Sequence, residues 1–316
     1  MALVAIKERW NGLIGGTGET GFGWSSTAED VTANLDLSGQ RILVTGCNSG
    51  LGLETMRVLA LRGATVLGTA RSRSKAEKAC ESVDGNTVPM VCDLAKPSTI
   101  LDLTDDVKSR GDQLDAIVAN AGVMALPELE QVHGYEKQFF VNYVSHYLLV
   151  KELLDVLDSN GRIVLLSSEA HRNAPSEGIS FDNLSGENGY NPWVAYGQSK
   201  LAMLLFARKL ARQFRSDDTN RTAYGVHPGV IHTNLTRNLG TVVETAMSVF
   251  NVLFLKSIPQ GAATQTFAAV HPEATRYNGE YLADCNPKQS SHNGRKKQLA
   301  ERLWKETETI VEEFGH

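Results

Sequence analysis

No stretch of the sequence approaches the ~20 uninterrupted apolar residues of a membrane-crossing helix, so no integral membrane segment is expected. Cysteine is scarce: Cys47, Cys80, Cys92 and Cys285 are scattered and make neither a CxxC pair nor zinc spacing. Free thiols in a reducing compartment follow from that. The eight histidines include no HExxH pattern, so no metal site is expected. Basic charge is short too. The formal net charge is -5, and Arg71-Ser-Arg73-Ser-Lys75 and Arg295-Lys-Lys297 are only local clusters, which argues against a nucleic-acid partner. The first residues, Met1-Ala-Leu-Val-Ala-Ile-Lys7-Glu8, offer no basic leader and no long apolar run. A secretory signal is therefore not expected, and a cytoplasmic location is.

What is present is the material of a large core, with 42% hydrophobic and 21% charged residues. From residue 39 short β-branched runs alternate with helical stretches: Arg41-Ile-Leu-Val-Thr45, Ala64 to Gly68, Val88 to Cys92, Asp115 to Ala119, Arg162 to Leu166, and Arg221 to Val226. The runs lack strict alternation, as parallel strands buried on both faces do. Helical patterns cover Glu54 to Leu61, Tyr135 to Leu157 and Val194 to Phe214, and a last strand, Gly279 to Ala283, precedes a helix near Arg295 to Glu313. This rhythm predicts an α/β fold: one Rossmann-type doubly wound parallel sheet of about seven strands, with helices on both faces, over residues 39–316. Residues 1–38 read as an N-terminal extension, serving as a packing arm or a lid. Ile6, Trp10, Leu13 and Ile14 form one short apolar face, and Ser26-Thr-Ala-Glu29 has capping-box spacing ahead of Val31 and Leu35.

The first strand runs into Thr45-Gly46-Cys47-Asn48-Ser49-Gly50-Leu51-Gly52 and then a helix. Glycines there allow a tight turn and bring backbone N–H groups close to a pyrophosphate at the helix N-terminus. The second strand ends in Ala70-Arg71, where a carboxylate would favour NAD; an arginine pairs with a 2′-phosphate instead, so NADP(H) is favoured over NAD(H). Asp93-Leu94 follows the third strand, the aspartate suited to the adenine amine, and Asn120-Ala121-Gly122 follows the fourth. Cys47 reads as a small packing residue.

Tyr196 and Lys200 lie four positions apart, hence on one helix face. An ammonium there favours the phenolate, and bringing a tyrosine from about 10 to neutrality asks roughly 4 kcal/mol of electrostatic help. A tyrosine so tuned exchanges a proton with a carbonyl–alcohol pair. Ser167-Ser168 ends the fifth strand just upstream, and Asn142 is a polar residue on an otherwise apolar helix face that needs partners.

With Gly46 to Gly52, Asn120-Ala-Gly122, Asn142, Ser168, Tyr196 with Lys200, and Pro228-Gly229 with Thr233, the chain resembles the short-chain dehydrogenase/reductase family over residues 39 to 315. Ser168-Glu-Ala-His171, His227 to Thr233 and Asp284-Cys285 resemble its retinol dehydrogenase and WW-domain oxidoreductase branch. The resemblance implies Tyr196 as general acid/base, and Lys200 as the group that lowers its pKa and bonds the nicotinamide ribose. Ser168 then holds the substrate oxygen, and Asn142 a relay water. Pro228, Gly229, Val230 and Thr233 position the nicotinamide. It also implies a homodimer or homotetramer through the helices at 135–157 and 194–214. The expected activity is NADP(H)-dependent interconversion of an apolar, fairly bulky small-molecule ketone or aldehyde with its alcohol. The alternative is a non-catalytic NADP-binding regulator or interaction protein. His171, Phe181, Tyr190, Trp193, Met124 and Leu126 are candidates to line the substrate pocket. Val242, Ala246, Val249, Phe250, Leu253 and Phe254 form a helical stripe that suits a lid, core or subunit contact equally.

Overall fold

The computed structural model describes residues 16–111, 113–231 and 255–314. Among them ten strands occur: β1 Arg41–Val44, β2 Thr65–Ala70, β3 Thr87–Val91, β4 Leu114–Ala119, β5 Gln131–Val132, β6 Tyr135–Glu136, β7 Leu157–Leu166, β8 Thr222–His227, β9 Tyr281–Ala283 and β10 Asn286–Lys288. The order β10-β9-β8-β7-β4-β1-β2-β3 makes one eight-stranded sheet. Only β10 runs antiparallel in it, and β5 pairs with β6 in a separate hairpin. The sequence rhythm marked seven of these strands. It missed β10 because Asn286-Pro-Lys288 carries no β-branched residue and pairs only as the return of a tight turn at Asp284-Cys285.

Seven helices flank the sheet among the described residues. They are α1 Gly50–Leu61, α2 Arg73–Glu81, α3 Pro97–Ser109, α4, α5 Pro192–Ser216, α6 Ile258–Val270 and α7 Lys297–Glu312. Helix α4 has three parts: a first turn Lys137–Phe139, a π-helical stretch Phe140–Val144, and Ser145–Leu153. Helix α5 starts where its sequence dictates. The Asn191 side chain accepts from the N–H groups of Trp193 and Val194, and Pro192 at the first position needs no such bond. Helix α6 opens with a capping box between Ser257 and Gln260.

The core lies on both sheet faces. Leu43, Ile117 and Ile163 point to the side of α3, α4 and α5, whereas Ile42, Val118 and Val164 point to the side of α1 and α6. Helix α7 lies over α4 and α5: Tyr143 bonds Thr307, and Trp304 meets the rings of Tyr147 and Phe206. At these positions α4 and α5, the helices expected to carry subunit contacts, pack against the chain's own helix α7.

Upstream of residue 39, Phe22 packs edge-on against Phe267, Ala28 N–H donates to Pro259, and Arg57 pairs with Glu29. The capping box sits one residue later than its sequence pattern suggested. Thr27 and Asp30 exchange backbone-to-side-chain bonds ahead of a short 3-10 turn Asp30–Thr32, because the Glu29 carboxylate is drawn to Arg57.

Candidate active site at the carboxyl edge of the sheet

The chain runs β1, β2, β3 in one direction and returns to place β4 on the other side of β1. That reversal opens a crevice at the carboxyl ends of β1 and β4, where sheets of this kind bind nucleotides. Gly46 and Gly50 have φ of 75° and 61°, a left-handed conformation that favours glycine. Gly52 is needed for another reason: a Cβ there would stand 2.3 Å from the Gly46 carbonyl oxygen and 2.6 Å from Asn120 Nδ2. At the N-terminus of α1, Ser49 makes no side-chain cap and the first turn holds no acid, which suits an anionic ligand. Asn48 leads into this turn and Leu51 lies within it. Cys47 is buried with its thiol on the Val44 carbonyl, and burial pushes its pKa up, so it is an inert packing group.

Thr45, which precedes this loop, ties the crevice together. Its hydroxyl accepts from the N–H groups of Asn120 and Ala121, each at 2.9 Å, and its carbonyl accepts from Asn120 Nδ2 at 2.8 Å. Arg71 is exposed just past β2 and makes no hydrogen bond or ion pair among the described residues. Beyond β3, Asp93 accepts from the Ala95 N–H, and Leu94 is buried with its carbonyl on the Ser145 hydroxyl. An uncapped helix start over glycines fits the pyrophosphate of a dinucleotide, and the Arg71 guanidinium at the end of β2 has no partner among the described residues.

On the other side of the crevice, β7 delivers two neighbouring serines to opposite fates. The Ser167 hydroxyl donates to the Lys200 carbonyl at 2.7 Å and is buried in the contact with α5. Ser168 faces the Tyr196 phenol and partly offsets what burial does to it. Tyr196 and Lys200 sit one turn apart on α5, the Lys200 Nζ 5.7 Å from the Tyr196 ring centroid and 2.8 Å from the Leu166 carbonyl oxygen, to which it donates. The sequence-based expectation of a lowered tyrosine pKa fails here. Burial dominates, pushing Tyr196 up to about 12 and Lys200 down to about 8. The ammonium lies against the ring and the Leu166 carbonyl, and burial outweighs any help it gives the phenolate.

Asn142 lies in the π-helical turn of α4, fully buried. Its Oδ1 accepts from the Val123 N–H at 2.8 Å, and its Nδ2 donates to the Val123 carbonyl and to Ser199 Oγ, both at 2.9 Å. Gly122 completes the packing, since a Cβ there would lie 2.9 Å from Asn142 Oδ1 and 3.7 Å from Lys200 Nζ. Asn142 therefore clamps the strand-end segment to α5. Its carbonyl oxygen is already engaged by His146 at 2.8 Å.

After β8, Pro228, Gly229 and Val230 border the same edge. Gly229 has φ of 98° and lies on the stem of Lys256, where a Cβ would meet the Lys256 Cδ at 2.5 Å. Val230 accepts from the Lys256 N–H, and Ile231 and Lys256 form a parallel bridge. Buried Lys256 pairs with Asp284 at 2.7 Å, a contact that sequence reasoning missed. Thr233, the stripe from Val242 to Phe254, and Ile6, Trp10, Leu13 and Ile14 lie outside the described residues.

The pocket candidates separate. Trp193 is 41% exposed with its ring edge-on to Tyr196 at 6.5 Å. Tyr190 donates to the Leu126 carbonyl at 2.6 Å, fixing the segment that also carries Met124. His171 is buried and held by the Ser168 carbonyl and the Ser291 N–H, so it braces the strand end. Phe181 lines a groove of about 460 Å³ with Ile179, Leu299 and Arg302, which includes none of Ser168, Tyr196 or Lys200.

A sheet with this reversal, a glycine turn at its first strand end and a Ser-Tyr-Lys group across the crevice define a dinucleotide-dependent oxidoreductase architecture. The sequence matches the family model described as short chain dehydrogenase over residues 40–243, and the chain belongs to that family. It is 38% identical to the short-chain dehydrogenase TIC 32 A, chloroplastic, of Brassica napus, over 96% of this chain and 99% of that protein. Retinol dehydrogenase 12 of Mus musculus is 36% identical, with 86% of each chain covered. The WW domain-containing oxidoreductase of Drosophila melanogaster is 32% identical over 93% of this chain and 73% of its own. Among solved structures, an uncharacterized protein from Mycobacterium Paratuberculosis superposes with a TM-score of 0.73 at 29% identity, covering 92% of this chain and 98% of that one. The retinol dehydrogenase and the WW domain-containing oxidoreductase among these relatives bear the names of the branch that the motifs around Ser168 and His227 indicated. No helix among the described residues is long and apolar enough to cross a membrane, and none of their His, Cys, Asp and Glu side chains group as a metal site.

Proposed function

We propose that this chain is an NADP(H)-dependent oxidoreductase that interconverts a ketone or aldehyde with its alcohol, on a substrate with an apolar and fairly bulky body. The observation that carries the reading is the meeting of Ser168, Tyr196 and Lys200 at the end of β7, opposite the glycine turn. When bound, the nicotinamide supplies or accepts the hydride. Tyr196 is protonated at neutral pH and so is ready to give its proton to a carbonyl oxygen; in the reverse direction its phenolate form takes the proton from the alcohol. The Ser168 hydroxyl donates to the same oxygen as charge builds on it. As the proton leaves Tyr196, the phenolate forms one turn from the Lys200 ammonium in a site screened from water, where their attraction is strong. Exposed Arg71 supports NADP(H) over NAD(H), as the group to pair with a 2′-phosphate. The exposed edge of Trp193 and neighbouring Val194 support an apolar substrate body. We place the activity in the cytoplasm, on the strength of four free, buried thiols; a fluorescent fusion checks it. A homodimer or homotetramer would use parts of α4 and α5 other than Tyr143, Tyr147 and Phe206, which meet α7; light scattering checks it.

The test is a panel of ketones, aldehydes and alcohols with NADPH or NADP, followed by nicotinamide absorbance. Turnover of apolar carbonyls is expected. Tight NADPH binding with no turnover across the panel would replace the enzyme by a nucleotide-binding regulator.

A further inference from the structure

His146 lies fully buried in α4 and takes no part in the proton transfer just described. Its Nδ1 is 2.8 Å from the Asn142 carbonyl oxygen and its Nε2 is 3.0 Å from Thr45 Oγ1. The hydroxyl fixes which nitrogen carries the proton. Thr45 Oγ1 already accepts from two backbone N–H groups, so both of its lone pairs are used and only its own proton remains to offer. Nε2 must accept that proton, and Nδ1–H must donate to the Asn142 carbonyl, which can only accept. Burial holds the ring neutral, pushing its pKa down to about 4, with the charge of Lys200 adding to the effect. Both ring nitrogens are engaged in one tautomer.

We infer that His146 is a positioning residue for the reaction: it couples the π-helical turn of Asn142 to the strand-end threonine that organises the glycine turn and Asn120-Ala121. What each end holds makes this more than core packing. The Asn142 amide grips Val123 in both directions and reaches Ser199, whose hydroxyl bonds the Tyr196 carbonyl at 2.8 Å. Thr45 fixes the backbone of Asn120 and Ala121. Gly122 leaves no slack between Asn142 and Lys200. A π-helical turn is itself rare and often marks a functional position, and here its carbonyl is tied to the cofactor side of the crevice by a single imidazole.

The inference rests on the proposed enzymatic reading, and its test separates the two. His146→Asn keeps a donor where Nδ1 stands and gives up the Thr45 bond. His146→Gln keeps an acceptor where Nε2 stands and gives up the Asn142 bond. His146→Leu removes both. With NADPH as the probe, the Asn variant is expected to raise the dissociation constant about tenfold with the smaller loss in kcat. The Gln variant is expected to do the reverse, lowering kcat about tenfold with NADPH binding within about twofold of the parent. The Leu variant should show both losses, and if it does not fold, the other two carry the test. Nitrogen-15 NMR of the parent should show a proton on Nδ1 and none on Nε2. Equal drops in melting temperature without any split between kcat and NADPH affinity would reduce His146 to a structural residue, and so would an Nε2–H tautomer. Should no carbonyl be turned over by the parent, the NADPH and NMR arms still report on His146 while the enzymatic reading alone fails.

Discussion

The two ends of the same parallel sheet differ in how they bury and partner their charged groups. At the amino end, Asp115 accepts from the Arg41 N–H, Asp158 accepts from the Asn160 N–H, and Arg221 donates to the carbonyls of Leu157 and Asp158. These groups are half-buried, partnered and close to water. At the carboxyl end Tyr196, Lys200 and His146 are buried, and each is driven by burial toward its neutral form. Lys200 has a carbonyl for a partner where a structural lysine would have a carboxylate. One end is built for stability, whereas the other gives up stability to keep proton-exchanging groups dry.

The sharpest way to break this contrast is Tyr196→Phe. Carbonyl reduction should fall by about two to four orders of magnitude while the NADPH dissociation constant stays near the parent value. Near-parental turnover would remove Tyr196 from the mechanism. Next comes Lys200→Met, which should abolish most activity yet raise stability. The folded pKa of Lys200 is about 8 against a usual 10.5, so the folded state binds that proton more weakly than the unfolded one. The resulting penalty is complete below pH 8 and gone above about pH 10.5. Chemical denaturation at pH 6 should find the variant more stable by about 3 kcal/mol, less what the lost packing costs, and near the parent at pH 10.5. A variant that is less stable at pH 6 would show that the ammonium is well solvated. Arg71→Ala should weaken NADPH by about tenfold or more and leave NADH almost unchanged; isothermal titration with both nucleotides checks it, and equal losses would remove the argument for the 2′-phosphate.

At the amino end the smallest effect is expected. Hydrogen bonding at Asn160 holds the Asp158 carboxyl below its usual range, so its contribution is present above the unfolded pKa and fades as pH falls through the folded one. The group is only half-buried and close to water, and Asp158→Asn should cost well under about 1 kcal/mol at pH 7, with kcat unchanged. A large loss in either would erase the division between the two ends.

The sheet was legible in the sequence because parallel strands buried on both faces write themselves as apolar runs, and Ile42, Val118 and Ile163 are such residues. The glycine turn, Ser168, Tyr196 and Lys200 were legible because their chemistry demands particular side chains at particular spacings. Other features depend on partners distant in sequence. The preference of Glu29 for Arg57 moved a capping box by one residue, and β10 exists only as the partner of β9. The direction of the Tyr196 shift depends on how completely the fold excludes water, which a spacing of four does not encode. His146 was within reach: the argument that singled out Asn142, a polar side chain on an apolar helix face, applies equally one turn further on.

The bridge between Ile231 and Lys256 narrows how such a protein can diversify. Lys256 is fastened to Asp284, and its stem lies against Gly229 at the edge of the crevice. Replacing Asp284 leaves a buried ammonium without this carboxylate beside the crevice, so the two positions are expected to vary together within a lineage.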